Sequence, residues 1–254
     1  MNLQDFFKEN PKVALAFSGG VDSAYLLHVA KESGADITAY FIKTQFQPQF
    51  EFDNVLKLSK KIKVPLKIIE ADILSDENVR NNDKLRCYYC KKILFSELKK
   101  AAHIDGYNVI IDGTNASDKA EDRPGMKVLE EMNIKSPLKM CNLTKEEIRK
   151  LSKIVGLPTW DKPAYSCLAT RIHTTEEITH EILKKVENAE EFLYSLGFID
   201  HRVRISDNDA LIQIQKIQIP RFEKYEKQII SKLEKEFDSI SWGDRNGNII
   251  GKTN

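Results

Sequence analysis

The sequence predicts an α/β chain, a parallel sheet with helices on both faces, followed by a smaller C-terminal α+β domain. Three observations predict this class. The apolar run Val13 to Phe17 breaks into the turn Ser18-Gly19-Gly20, and Asp22 with Ser23 then opens a helix carrying Leu26, Leu27 and Ala30. Short apolar runs of strand length alternate with helical patterns as far as Ile111, the rhythm of βαβ units. Beyond Cys167 the pattern changes to a long amphipathic helix followed by alternating strands.

Val13, Ala14, Leu15, Ala16 and Phe17 read as a strand buried on both faces. The two glycines that follow permit positive φ and let a ligand approach the backbone with no Cβ in the way. The N–H groups of Ser18 to Ser23 would converge with a helix N-terminus on one anion site. No lysine follows the glycines, which excludes the GxxxxGK[ST] loop that holds β- and γ-phosphates. The residues SGGVDS resemble the PP-loop of the ATP pyrophosphatases, which grips pyrophosphate while the α-phosphorus is attacked. That resemblance implies ATP contacts at Phe17, Ser18, Gly19, Gly20, Asp22 and Ser23.

Ile37 to Ile42 is the second buried strand, and resemblance to PP-loop proteins places Phe41, Lys43 and Thr44 at the adenine. Glu51 to Ile62 reads as a helix with Phe52, Val55, Leu56 and Ile62 inward; Pro65 stops it, and Leu66 to Ile69 is a third strand. Val109 to Ile111 makes a fourth and runs into Asp112-Gly113-Thr114-Asn115-Ala116-Ser117-Asp118. In open parallel sheets ligands sit beyond the carboxyl ends of the strands, where both loops fall. Gly113 is therefore a second nucleotide-site candidate, and Arg123, in the turn Glu121 to Gly125, is either a phosphate clamp or an ordinary turn arginine. Thr144 with Glu147 forms a capping box at the start of the helix TKEEIRKLSKIVG.

The composition, 41% hydrophobic and 30% charged, is that of a globular chain. Lys+Arg 39 against Asp+Glu 38 gives +1, so no global field draws it to nucleic acid or a membrane surface. The N-terminus lacks a secretory pattern and no run approaches a membrane span, so the cytoplasm is expected. Four cysteines then suggest reduced thiols or metal ligands rather than disulfides.

Cys87 and Cys90, in Arg86-Cys87-Tyr88-Tyr89-Cys90-Lys91-Lys92, stand three positions apart at a helix start and can share one metal. Arg86, Lys91 and Lys92 favour the thiolate that binds metal. A lone CxxC leaves zinc, a redox pair, an iron–sulfur site and coincidence open, and no local motif completes a four-ligand zinc site. Cys167 follows Trp160-Asp161-Lys162-Pro163, an extended approach stiffened by proline. Three cysteines are the number that leaves one iron of a [4Fe–4S] cube without a protein ligand. Cys141, among apolar neighbours, reads as a structural thiol.

Thr175 to Leu196 reads as one amphipathic helix, with Ile178, Ile182, Val186, Ala189, Phe192 and Leu193 inward and Gly197 at its end. Arg202-Val203-Arg204-Ile205 alternates, so Arg202 and Arg204 share one strand face, spaced to bind a phosphate together. Ala210 to Ile214 and Ser239 to Trp242 add strands around a helix Arg221 to Phe237.

SGGVDS, YYCKK, DGTNASD, DRPG, WDKP, SCLATR, SLGF and HRVRI occur in that order across about Pro11 to Gly243. Together they resemble the LarE family of PP-loop sulfurtransferases, which build the nickel-pincer nucleotide cofactor. The resemblance implies the PP-loop ATP pyrophosphatase (adenine nucleotide alpha hydrolase-like) fold, with residues 1–165 as the adenylation domain and residues 166–254 binding substrate. It implies ATP-dependent conversion of a carboxylate of pyridinium-3,5-biscarboxylic acid mononucleotide into a thiocarboxylate. The family holds a sacrificial type, which gives up the sulfur at the position of Cys167, and a type that adds the pair Cys87 and Cys90 and carries a [4Fe–4S] cluster. This chain resembles the second. Implied catalytic residues are Cys167, Asp22 and Arg171; implied substrate contacts are Tyr88, Lys91, Thr170, Glu190, Arg202 and Arg204. ATP, Mg²⁺ and the cluster are the expected cofactors. Sulfide or another sulfur donor and a homo-oligomeric state are expected as well, without membrane or nucleic acid. A PP-loop tRNA thiolase with a cluster, and a metallochaperone built on CYYC, are the rival functions; the near-zero charge opposes the first and the intact loop the second.

Overall fold

A computed structural model describes residues 2–118 and 124–253. The chain divides into two compact units, Met1–Ile73 with Leu85–Lys162 and Leu74–Lys84 with Pro163–Asn254. In chain order the elements are α1 (Leu3–Glu9), β1 (Lys12–Ala16), α2 (Val21–Glu32), β2 (Asp36–Lys43), α3 (Gln49–Ile62), β3 (Leu66–Glu70) and α4 (Glu77–Arg80). They continue with α5 (Arg86–Ile104), β4 (Val109–Ile111), α6 (Met126–Glu131), α7 (Pro137–Met140) and α8 (Lys145–Ile154). Last come α9 (His180–Ser195), β5 (Arg202–Ser206), β6 (Asp209–Ile214), α10 (Ile219–Leu233), β7 (Ile240–Asp244) and β8 (Ile249–Lys252).

In the first unit four strands form one parallel sheet in the order β3-β2-β1-β4. Strand periodicity sends alternate side chains to opposite faces. Val13 and Leu15 pack with Phe6, Leu26 and Ile148 on one face, and Ala14 packs with Phe95, Leu98 and Val128 on the other. Helices thus cover both faces, and each fully buried Leu, Val or Phe contributes about 1.5–3 kcal/mol. The chain reaches β2 and β3 on one side of β1 and returns to β4 on the other. That reversal creates a switch-point crevice at the carboxyl ends of β1 and β4.

The sequence pattern places β1 to β7 within a residue or two, as at β4, Val109–Ile111, but gives no counterpart for β8 or for the short helices α4, α6 and α7, which are too brief to show a period. It left out α1, whose seven residues are too few to show a period; the Asn2–Asp5 capping box and buried Phe6 and Phe7 hold it. It also marked only the start of α5, which runs on to Ile104.

The second unit carries a mixed sheet, β5-β6-β7-β8, antiparallel except for β6 with β7. Helix α9 begins five residues later than the amphipathic pattern suggests. Thr179 caps it by accepting from Ile182 N–H at 3.2 Å. The preceding backbone is committed elsewhere: Thr175 N–H donates to Asn82 O at 3.0 Å and Ile178 N–H to Arg80 O at 2.8 Å. The buried side chain of Asn82 adds a bond from Nδ2 to His173 O at 2.8 Å, which ties Leu74–Lys84 into this unit. Among the described residues no helix is long and apolar enough to cross a membrane.

Candidate active site

The loop after β1 is held by its own backbone and two serines. Phe17 N–H still donates to Tyr40 O at 2.9 Å, so the chain leaves the sheet only at Ser18. Gly19 has φ +70, and a Cβ there would stand 2.5 Å from Val55 Cγ2. Ser23 Oγ donates to Gly20 O at 3.2 Å and lies 3.1 Å from Ser18 Oγ, which closes the turn. Gly20 is the N-cap of α2 and offers no side chain to the first N–H groups. An uncapped helix start behind a glycine turn is an anion site by geometry and dipole together.

The loop after β4 meets this turn. A Cβ on Gly113 would stand 3.0 Å from Ser23 N and 3.3 Å from Asp22 Cβ, so only glycine lets the two backbones approach so closely. Asp112 holds its own loop by accepting from Thr114 Oγ1 at 2.5 Å and Ser136 Oγ at 2.6 Å. Lys145 joins the same place. Its Nζ lies 2.5 Å from Asp22 Oδ2, and its N–H donates to Ser117 Oγ at 3.0 Å. The other oxygen, Asp22 Oδ1, is buried with no hydrogen-bond partner among the described residues.

Other expected contacts of the first unit fall as follows. Phe17 and Phe41 are buried, and the Phe41 ring packs against Phe52. Lys43 lies with Nζ 4.7 Å above the Phe52 ring, and Thr44 is held by Gln47, which accepts from its N–H and hydroxyl. Arg123 lies outside the described residues. Cys90, half-buried, begins the second turn of α5, and Cys87, exposed, stands on the first. Gly125 packs against this turn, with an added Cβ 3.2 Å from Cys87 O. Tyr88 donates to Glu131 Oε2 at 2.8 Å, and Lys91 lies over the Phe95 ring. Cys141 packs against the core, and burial pushes its thiol pKa up.

The second unit builds its site around a buried ion pair. Arg171 is 1% exposed and Glu190 4%. Arg171 Nε donates to Glu190 Oε1 at 2.7 Å and Nη2 to Oε2 at 3.2 Å, a forked pair. Arg171 Nη1 donates to Ser166 O, Ser166 Oγ and Thr170 Oγ1 at 2.7–3.0 Å. Thr170 Oγ1 in turn donates to Cys167 O at 2.8 Å. The carboxylate also accepts from Tyr165 OH at 2.7 Å and Val203 N–H at 3.0 Å. Burial alone would lower the Arg171 pKa; the hydrogen bonds and charge of Glu190 outweigh it and hold it above its ordinary value. Arg171, Glu190 and Thr170 thus shape the backbone that presents Cys167.

Beside them Arg202 is half-buried and Arg204 exposed on β5. Arg204 donates from Nε to Gln213 Oε1 at 2.8 Å and from Nη1 to Thr170 O at 3.0 Å. Burial and the charges of Arg245, Arg171 and Arg204 push Arg202 down, and burial with Arg171 and Arg245 does the same to Arg204. Crowded guanidiniums of this kind are a site of positive potential that an anion would relieve. Arg245 and Tyr165 were not anticipated; one lies beyond the last motif and the other looks like an ordinary loop aromatic. Among the described residues no three His, Cys, Asp or Glu side chains gather as a metal-binding group.

The model of the phosphoadenosine phosphosulfate reductase domain family matches residues 12–154. The pyridinium-3,5-bisthiocarboxylic acid mononucleotide synthase of Lactiplantibacillus plantarum is 31% identical over 229 residues, 89% of this chain and 83% of the relative. The chain belongs to the LarE family. Two further relatives are uncharacterized proteins, each 36% identical. One, of Synechocystis, aligns over 87% of this chain and 83% of its own length, and one, of Methanocaldococcus jannaschii, over 92% and 88%. Membership of the LarE family sets the parallel sheet and its glycine turn in a PP-loop fold, and the second, smaller sheet follows it.

Proposed function

We propose that this chain is an ATP-dependent sulfurtransferase that converts a carboxylate of pyridinium-3,5-biscarboxylic acid mononucleotide into a thiocarboxylate. The observation that carries the proposal is the uncapped start of α2 beside Gly113, at the switch point of a parallel sheet. The Lactiplantibacillus relative, a pyridinium-3,5-bisthiocarboxylic acid mononucleotide synthase, supports a substrate of that nucleotide class.

Carboxylates resist sulfur because oxide is a poor leaving group. In the proposed first step a carboxylate oxygen attacks the α-phosphorus of ATP. The bond from that phosphorus to the bridging oxygen breaks, and pyrophosphate leaves with the electron pair. The N–H groups from Ser18 to Ser23 stabilise its charge. Mg²⁺, when bound, would shield the phosphates, with Asp22 the carboxylate to hold it. In the second step hydrosulfide attacks the acyl carbon, the carbon–oxygen bond to AMP breaks, and AMP departs. Arg202 and Arg204 hold the mononucleotide phosphate, and Arg171 with Glu190 fixes the turn carrying Cys167. The first unit thus adenylates, and the second binds substrate and transfers sulfur. The reading places the enzyme in the cytoplasm as a homo-oligomer.

For sulfur delivery the donors considered are Cys87, Cys90 and Cys167. Two thiols one helical turn apart at the start of α5 suit an iron–sulfur cluster. Cys87, Cys90 and Cys167 would hold a [4Fe–4S] cluster, which, when bound, would offer one iron without a protein ligand for hydrosulfide. Changing any of the three to Ala is expected to abolish bound iron and multiple turnover together, whereas Cys141→Ala spares both. Anaerobic iron and sulfide analysis with turnover counting checks this. Loss of hydrogen sulfide from Cys167, leaving dehydroalanine in the mass spectrum after a single turnover, would replace the cluster with the sacrificial route.

The arginine pair has its own test. Arg202→Ala and Arg204→Ala each remove a charge-assisted contact, about 1.5–3 kcal/mol of mononucleotide affinity. KM for the mononucleotide is expected to rise while ATP affinity stays unchanged; a wild-type KM in both variants would reduce the pair to a solvated strand face.

A further inference from the structure

The proposed adenylation leaves one demand unmet by the glycine turn itself: a mobile cation for the departing pyrophosphate. The loop SGGVDS contains no lysine or arginine. It does contain Asp22, whose carboxylate stands in the first turn of α2, where its negative charge opposes any phosphate docked there. We infer that Lys145, brought from the start of α8, is the pyrophosphate-binding cation of this site and rests on Asp22 until ligand arrives. The inference rests on the proposed use of ATP.

Lys145 reaches the site through tertiary structure alone, across 123 positions of sequence. Its backbone is pinned by the bond from its N–H to Ser117 Oγ, in the loop that carries Gly113. Thr144 and Glu147 fix the helix start with a full capping box. The side chain stays adaptable, 35% exposed on a flexible four-carbon stem.

Stability does not account for this placement. A lysine at the first position of α8 faces the positive end of that helix's dipole, which is unfavourable. A part-exposed ion pair returns little. What the pair does accomplish is to neutralise the carboxylate of the SGGVDS loop. Asp22 Oδ1 meanwhile stays buried without a partner among the described residues, a cost that a bound divalent cation would remove. With Mg²⁺ and pyrophosphate or ATP bound, Asp22 would hold the metal and the Lys145 ammonium would turn to the phosphate oxygens. No bond is made or broken in this exchange of ion partners.

The experiment is calorimetric titration of the full chain and of Lys145→Met and Lys145→Arg with magnesium pyrophosphate, Mg·ATP and AMP. Lys145→Met is expected to bind pyrophosphate and ATP about 10- to 100-fold more weakly, the range of a lost charge-assisted hydrogen bond. AMP, which lacks the β- and γ-phosphates, should bind all three proteins equally, and Lys145→Arg should recover most of the pyrophosphate affinity. Unchanged pyrophosphate affinity in Lys145→Met, or an equal loss for AMP, overturns the inference while leaving ATP use intact. A wild-type chain that binds neither pyrophosphate nor ATP overturns the proposed function and this inference with it.

Discussion

Gly19→Val is expected to remove ATP binding and to destabilise the first unit by about 2–5 kcal/mol. Two costs add. A β-branched residue must adopt φ +70, where its Cβ crowds the following carbonyl oxygen, at about 1–2 kcal/mol. Its Cβ must also displace Val55 Cγ2 from 2.5 Å away, and Val55 is fully buried on α3 with no room to retreat. Forcing carbon into a packed core costs about 1–3 kcal/mol more. Gly20 provides the contrast, because its φ of −77 is ordinary and the nearest atom to an added Cβ is Ser18 Oγ at 3.4 Å. Gly20→Ala should therefore keep stability within about 1 kcal/mol and lose mainly ligand affinity. Urea unfolding followed by ATP titration separates the two. A Gly19→Val protein with wild-type midpoint and wild-type ATP affinity would remove the loop from the site.

Arg171→Met is expected to cost about 3–5 kcal/mol, because it leaves the Glu190 carboxylate buried without its countercharge. Tyr165 OH and Val203 N–H would remain as neutral donors, too few to replace a forked guanidinium. Ser166 and Thr170 would lose the donor that joins them, so the turn carrying Cys167 should loosen. Arg171→Lys should not rescue, since a point ammonium cannot reach both carboxylate oxygens and the Ser166 carbonyl in one plane. The double change Arg171→Met with Glu190→Leu should recover part of the stability, because no charge is then stranded. Sulfur transfer should stay low in that double variant, as nothing organises Ser166 to Thr170. Unfolding midpoints and single-turnover product yields measure the two effects apart. Equal midpoints for Arg171→Met and wild type would show that the pair carries no stability.

The sequence by itself determined the local elements. β1, β2, β4 and the capping box at Thr144 are written in short-range pattern, since strand and helix periods and side-chain caps depend on neighbours within a few residues. The glycine turn was legible for the same reason, and so was the shared face of Arg202 and Arg204. The sequence pattern misplaces the start of helix α9 because the Thr179 cap and the backbone bonds from Thr175 and Ile178 N–H to the Asn82 and Arg80 carbonyls compete with an apolar period that continues through Ile178. Only the tertiary structure decided which charges meet. The family resemblance implies a substrate contact at Glu190, and the fold adds that its carboxylate is buried in a forked pair with Arg171, which nothing within α9 could show. Lys145 reads as one more helix-surface lysine until Asp22 appears 2.5 Å from its ammonium. Ion pairs of this kind join residues on different elements, and their partners are set by how those elements pack rather than by any local period.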